Sequence, residues 1–297
     1  MEHVIVHTRP QLRHPILLAA FAGWNDAGET ATMALRLLIR EWQAEVCAEI
    51  DPEPFFVFTE TRPHVRGITT TNRQIIWPQT RFYAARVPTG PRDFLLLLGI
   101  EPQLRWRTFV GTILEYSAML GVDTVFCLGG LLADSLHTRP PVLTGSISDP
   151  ALSRQLNLLG LHRSRYEGPT GIVGVLGALA RERGLISGSL WGNVPHYLGS
   201  TANPVVAAAL LRAVAALFQF EVDLSDLDRA AERFNAQVSE AVANDPEVAR
   251  YVRQLEEQQE HQDEEAPNPE SGGDLPSADI IVQQLEDLLR RRQEDQE

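Results

Sequence analysis

An α/β domain built on a largely parallel sheet, with helices on both faces, is predicted by three features of this 297-residue chain. Short runs rich in Val, Ile and Leu recur at PILLAAF, AEVCAEI, DFLLLLGI, DTVFCLGG and LISGSLW. Several of them alternate with helix-like segments, the pattern of strands buried on both faces. At 44% hydrophobic residues the chain can bury a sizeable core, and its length fits one large domain or a domain with an appendage.

Taken in order, PILLAAF reads as a buried strand, FAGWNDAGET as the loop at its carboxyl end, and ATMALRLLIREW as the helix that follows. NRQIIWP and RFYAARV lie too close together for a helical crossover and read as an antiparallel hairpin added to the sheet. Three helix starts share a side-chain cap followed by proline at the first helical position: Asp149-Pro150, Asn203-Pro204 and Asp245-Pro246. The segment after Pro204, VVAAALLRAVAALFQF, is apolar almost all round and is expected deep in the core. The α/β core is therefore assigned to residues 1–222.

From Asp223 the periodicity changes. Leu224, Leu227, Ala231, Phe234, Val238 and Ala241 recur at spacings of three and four, and Val248, Tyr251 and Leu255 resume after Pro246. Residues 223–260 are expected to form a helical hairpin, which either presents a partner surface or closes over the domain's own sheet. Residues 261–276 lose almost all apolar content and read as a mobile acidic linker. Residues 277–297 regain an amphipathic helical pattern through Ile281, Leu285, Leu288 and Leu289.

Composition narrows the chemistry. The chain has no lysine, which removes Schiff-base catalysis, pyridoxal phosphate anchoring and the P-loop. A net charge of −13 without a basic, aromatic stripe argues against a nucleic-acid partner. No apolar run approaches the roughly 20 residues of a membrane span, and the start MEHVIVHTRP resembles no leader, so a cytoplasmic location is expected. Cys47 and Cys127 lie inside apolar runs and read as small buried hydrophobes rather than disulfide partners. The eight histidines are scattered, and neither a metal nor a cofactor is expected.

Four loops carry residues that a plain connector does not need. FAGWNDAGET sets Trp24, Asn25 and Asp26 between glycines that permit tight backbone; Asp26 is either a helix cap or a displayed carboxylate. GGLLADSLHTRPP offers Asp134, His137 and Arg139, a grouping suited to acid–base or phosphate chemistry, or to a loop tied by its own hydrogen bonds. SRYEGPTGIVGVLGAL places Glu167 and Thr170 before an apolar helix, where Thr170 can cap it or its free amides can take an anion. SLWGNVPHYLGSTANP offers Asn193, His196 and Tyr197. If the strands feeding them are parallel, these loops gather on one edge of the sheet and line a crevice there.

The segments FAGWNDAGE, DPEPFFVFTETRP, GIEPQLRWRTF, GGLLADSLHTRP, YEGPTGIVGVL, SLWGNVPHYLGSTANP and YVRQLE together resemble the proteasome assembly chaperone 2 family in its actinobacterial branch, over roughly residues 1–260. The resemblance implies a three-layer α/β/α phosphorylase/hydrolase-like domain, similar to purine nucleoside phosphorylases. It also implies a non-enzymatic assembly or interaction factor with proteasome subunits or another protein as partner, and self-association as a homo-oligomer, in particular a trimer. Some relatives dock through a hydrophobic-tyrosine-any-residue tail, whereas this sequence closes on RRQEDQE, so docking by that route is not expected. The alternative is a nucleoside- or phosphate-ester-binding protein or enzyme using the crevice.

Overall fold

The computed structural model describes residues 2–67, 73–161, 166–199 and 201–264. The chain opens with β1 (Val4–Val6), β2 (Ile16–Ala22), α1 (Thr30–Glu41) and β3 (Glu45–Ile50). A long excursion carries β4 (His64–Arg66) and β5 (Gln74–Ile76) before β6 (Thr80–Ala85), β7 (Phe94–Ile100) and α2 (Trp106–Met119). β8 (Thr124–Ala133), β9 (Leu143–Ile147), α3 (Pro150–Leu158), α4 (Ile172–Glu182) and β10 (Ile186–Pro195) follow. The described part ends in α5 (Pro204–Phe218), α6 (Ser225–Asn244) and α7 (Pro246–Glu264).

The main sheet has the order β1-β3-β6-β7-β2-β8-β10-β9. Its centre is parallel, with β2 against β7 and β8, and β8 against β10. Both flanks are antiparallel: β6 on β7, β3 on β6, β1 on β3, and β9 on β10. The expected hairpin of NRQIIWP with RFYAARV does not form. β5 pairs instead with β4 in a separate two-stranded sheet, and β6 enters the main sheet between β3 and β7. The physical reason is apolar demand: Phe82 on β6 is fully buried, whereas the β5 side chains lie at or near the surface.

Helices cover both faces of the sheet. On one, Ile16, Leu18 and Ala20 of β2 pack with α1 and α5; on the other, Leu17, Ala19 and Phe21 pack with α2 and α4. The period-two alternation of a strand delivers its side chains to both cores, so β2 reads as one continuous apolar run. α5 is buried along most of its length, as its composition demands. All three side-chain caps form: Asp149 accepts from Ala151 and Leu152, Asn203 from Val205 and Val206, and Asp245 from Glu247 and Val248. Both cysteines are buried and free.

α6 and α7 turn their apolar faces onto the domain itself. Phe234, Val238, Ala241, Val248, Tyr251, Val252 and Leu255 form a third core with Leu136, Tyr197 and Leu198. α7 continues to Glu264, past the expected hairpin end at 260. The rest of the acidic linker and the helix expected at 277–297 lie outside the described residues.

One polar clasp joins the entrances of the two central strands. Asp93, 1% exposed, accepts from the Arg13 amide at 2.8 Å, the Arg13 guanidinium at 2.8 Å and the Val87 amide at 3.1 Å. Burial pushes the Asp93 carboxyl up, but the hydrogen bonds from Arg13 and Val87 and the Arg13 charge outweigh it and hold the group below the ordinary carboxylate range. The stability this supplies is present above the unfolded value, about 3.9, and is lost as pH falls through the depressed folded value. The melting-temperature gap between wild type and Asp93→Asn should therefore be constant from pH 5 upward and shrink below about pH 4. A gap independent of pH down to acid unfolding contradicts this assignment.

Candidate functional site at the carboxyl edge of the sheet

The loops that leave the parallel strands meet at one edge, as parallel topology requires. The Gly130 amide donates to the Asn25 carbonyl at 2.9 Å, and Asp26 pairs with Gly130 as an isolated parallel bridge. Gly28 donates to the Gly199 carbonyl at 3.0 Å, and Asn203 donates back to the Gly28 carbonyl at 2.8 Å. These contacts need the backbone to turn sharply, and Gly23 and Gly28 supply it with φ of 119° and 58°. The loop after β2 is thereby sewn by main-chain bonds to β8 and to the loop after β10.

Asp26 is a helix cap. Its carboxylate accepts from the Ala31 amide at 2.7 Å, the Thr32 amide at 3.2 Å and the Thr32 hydroxyl, satisfying donors at the start of α1. Burial raises its pKa, with the Thr32 and Ala31 hydrogen bonds and the Arg36 charge opposing. Asn25, 1% exposed, donates to Glu101 at 2.7 Å, and the same Glu101 oxygen accepts from the Ile172 amide at 2.8 Å. The α4 start is thus capped by a carboxylate arriving from the end of β7. Thr170, expected to cap α4, does not: Gly171 holds the cap position, and among the described residues no side chain of its own loop bonds the first turn. Thr170 and Glu167 are exposed, and Trp24 is 65% exposed.

The remaining candidates form a second group beneath the helical hairpin. The Tyr197 hydroxyl accepts from the His137 amide at 2.9 Å and lies 2.9 Å from His137 Nδ1. His137 Nε2 lies 3.3 Å from the Ser239 hydroxyl of α6, so both ring nitrogens have a protein partner. Burial pushes the His137 pKa down, partly opposed by the Glu256 charge, and burial pushes the Tyr197 hydroxyl up. Burial thus favours the neutral imidazole and the protonated phenol. His196 Nδ1 lies 3.2 Å from the Asp134 carboxylate, and its Nε2 meets the Tyr251 hydroxyl of α7. Gln259 donates to the Asp134 carbonyl at 2.6 Å.

Each histidine therefore turns Nε2 to the helical hairpin and Nδ1 to the loops beneath it. Asn193 and Arg139 line the same corner with Ser135, Phe234 and Asn235, around a shallow recess that is open to solvent. The Ser135 hydroxyl and the Asn193 carbonyl oxygen are buried there without a protein partner, a pairing that suits an ordered water. Among the described residues no group of three His, Cys, Asp or Glu side chains could hold a metal ion, and no helix is long and apolar enough to cross a membrane.

The structure thus splits the expected crevice in two. Trp24, Asn25, Glu167 and Thr170 belong to loops near the β2 end and α4, whereas Asp134, His137, Arg139, Asn193, His196 and Tyr197 gather under α6 and α7. Glu101 and Tyr251 are the organising residues that sequence reasoning missed. Glu101 directly follows DFLLLLGI, the same position relative to its strand as the loops that were singled out, so the signal was present.

The PAC2 family model matches residues 20–242. The fold is similar to a Mycobacterium tuberculosis proteasome-assembly chaperone homologue at 40% identity and a TM-score of 0.72, covering 80% of this chain and 99% of that one. A PAC2 family protein from Streptomyces avermitilis is similar at 41% identity and a TM-score of 0.73, with the same coverage. Pyrococcus furiosus PbaB, an archaeal proteasome activator, shares the fold at 20% identity and a TM-score of 0.65, covering 81% of this chain and 99% of that one. No curated protein matches the chain.

Proposed function

The chain belongs to the PAC2 family, alongside its actinobacterial members, and from that premise we propose that it works as a non-enzymatic assembly or protein-interaction factor for the proteasome. The observation that carries this reading is the 40% identity across 99% of a proteasome-assembly chaperone homologue. The carboxyl edge supports it. Where an open α/β sheet ordinarily takes a small ligand, this chain lays its own α6 and α7, and His137 and His196 there bond to those helices. The finer parts of the reading are a phosphorylase-like three-layer core, a cytoplasmic location and action as a homo-oligomer, a trimer in particular.

Capture of the tagged full-length chain from an actinobacterial lysate tests the reading. Proteasome core subunits are expected in stoichiometric amount. Their absence, together with stabilisation of the chain by nucleosides or phosphate in a thermal-shift titration, would transfer the site to small-molecule binding.

A further inference from the structure

The β4–β5 hairpin stands apart from the rest of the fold. Among the described residues its strands pair only with each other, with Val65 directly opposite Ile75. Val65 is 65% exposed, Ile75 58% and Trp77 44%. The root is firmly held, since Phe55 and Phe56 are buried in the core beneath α2 and the Trp77 ring packs on Phe58 at 4.8 Å. A two-stranded hairpin with no third layer is marginal in water. Exposed aliphatic and indole groups on such an arm mark a surface that another surface covers.

Charge says which surface. Residues 61–67 and 73–79 contain Arg62, Arg66 and Arg73 and no acidic side chain, and all three arginines are exposed. Residues 1–222 hold 18 acidic side chains and 19 arginines, close to neutrality. Residues 223–264 hold twelve acidic side chains and four arginines, so the described helical hairpin is where negative charge concentrates. Within one chain the two are kept apart. The arm leaves between β3 and β6, whereas α6 and α7 cover the ends of β8 and β10, three or more strand spacings away, on the order of 15 Å.

We propose that the β4–β5 arm seats on a second copy of this chain, steered by that copy's acidic α6–α7 face. Arm-on-arm pairing would set Arg62, Arg66 and Arg73 against their own copies, so the contact joins unlike surfaces. A contact between unlike surfaces generates a ring where its rotation closes, which is compatible with a trimer. The inference rests on the self-association proposed above and adds the surface that makes it.

The test is light scattering on the full-length chain at micromolar concentration, comparing wild type with the Val65→Asp/Ile75→Asp double variant and with Arg66→Glu/Arg73→Glu. Wild type is expected well above 33.0 kDa. Both variants are expected to self-associate at least about tenfold more weakly, because each sets an uncompensated negative charge against an acidic face. Their melting temperatures, measured where wild type is itself dissociated, should match wild type, since surface changes away from a packed core cost little. Raised salt should weaken wild type in parallel. A monomeric wild type overturns both the self-association reading and the arm. An oligomeric wild type whose variants stay equally oligomeric overturns the arm alone and leaves self-association standing.

Discussion

Asp26→Ala should lower the melting temperature by roughly 5–10 °C, the largest loss expected from any single side chain at the carboxyl edge. The carboxylate holds the Ala31 and Thr32 amides and the Thr32 hydroxyl, and it is 7% exposed, so water does not replace it freely. A lost cap costs about 0.5–2 kcal/mol, and buried donors left without an acceptor add to that, for a total of about 2–3 kcal/mol. Asp26→Asn retains one acceptor oxygen and relieves the buried charge, so it should recover much of the loss. Equal damage from both variants, with an intact fold by circular dichroism, would mean that the charge itself is required. That outcome would return Asp26 to the list of functional carboxylates.

Gly130→Ala should cost about 3 kcal/mol, at the upper end of the overpacking range. A Cβ at this position would lie 2.2 Å from Thr30 Oγ1 and 2.7 Å from the Ala27 carbonyl oxygen. The second obstacle is backbone, which cannot rotate away as a side chain can. Relief would require the β2 loop to lift off β8, breaking the Gly130 to Asn25 hydrogen bond and the Asp26 bridge. Gly111→Ala in mid-α2 is the control: its Cβ would meet only an arginine nitrogen at 3.7 Å. There the change should stabilise by roughly 0.5–1 kcal/mol through helix propensity. Chemical unfolding of the two variants checks both signs, and a Gly130→Ala midpoint within error of wild type would refute the close approach.

These two sites show what was legible in the sequence. The cap-and-proline starts at Asp149, Asn203 and Asp245 were readable because cap and helix lie two or three residues apart. Asp26 was readable as one of two roles, cap or displayed carboxylate, because its helix follows in the same loop, although the amides it holds lie five and six residues on. The α4 cap was not, because Glu101 comes from 71 residues upstream and local spacing pointed to Thr170. The pairing of β5 failed similarly: short apolar runs state that they are strands and leave open which strand they join. The α6–α7 periodicity gave the helices but not their destination, since an amphipathic stripe fits a partner and the parent domain equally well. The two histidine loops looked chemical in sequence because His, Asp and Tyr are shared by active sites and by polar clasps. Only the bonds to Ser239 and Tyr251, about 100 and 55 residues away, distinguish the two.

The central claim is that this PAC2 chain acts on proteasome assembly through its surfaces and not through a ligand at the carboxyl edge. Purified actinobacterial proteasome α and β subunits, mixed with and without the full-length chain and followed by native mass spectrometry over the course of core-particle formation, test it most directly. The account predicts complexes of this chain with α-subunit-containing intermediates and a changed rate of core-particle appearance, both unaffected by added nucleoside or phosphate. No complex with either subunit and an unchanged assembly rate would contradict it.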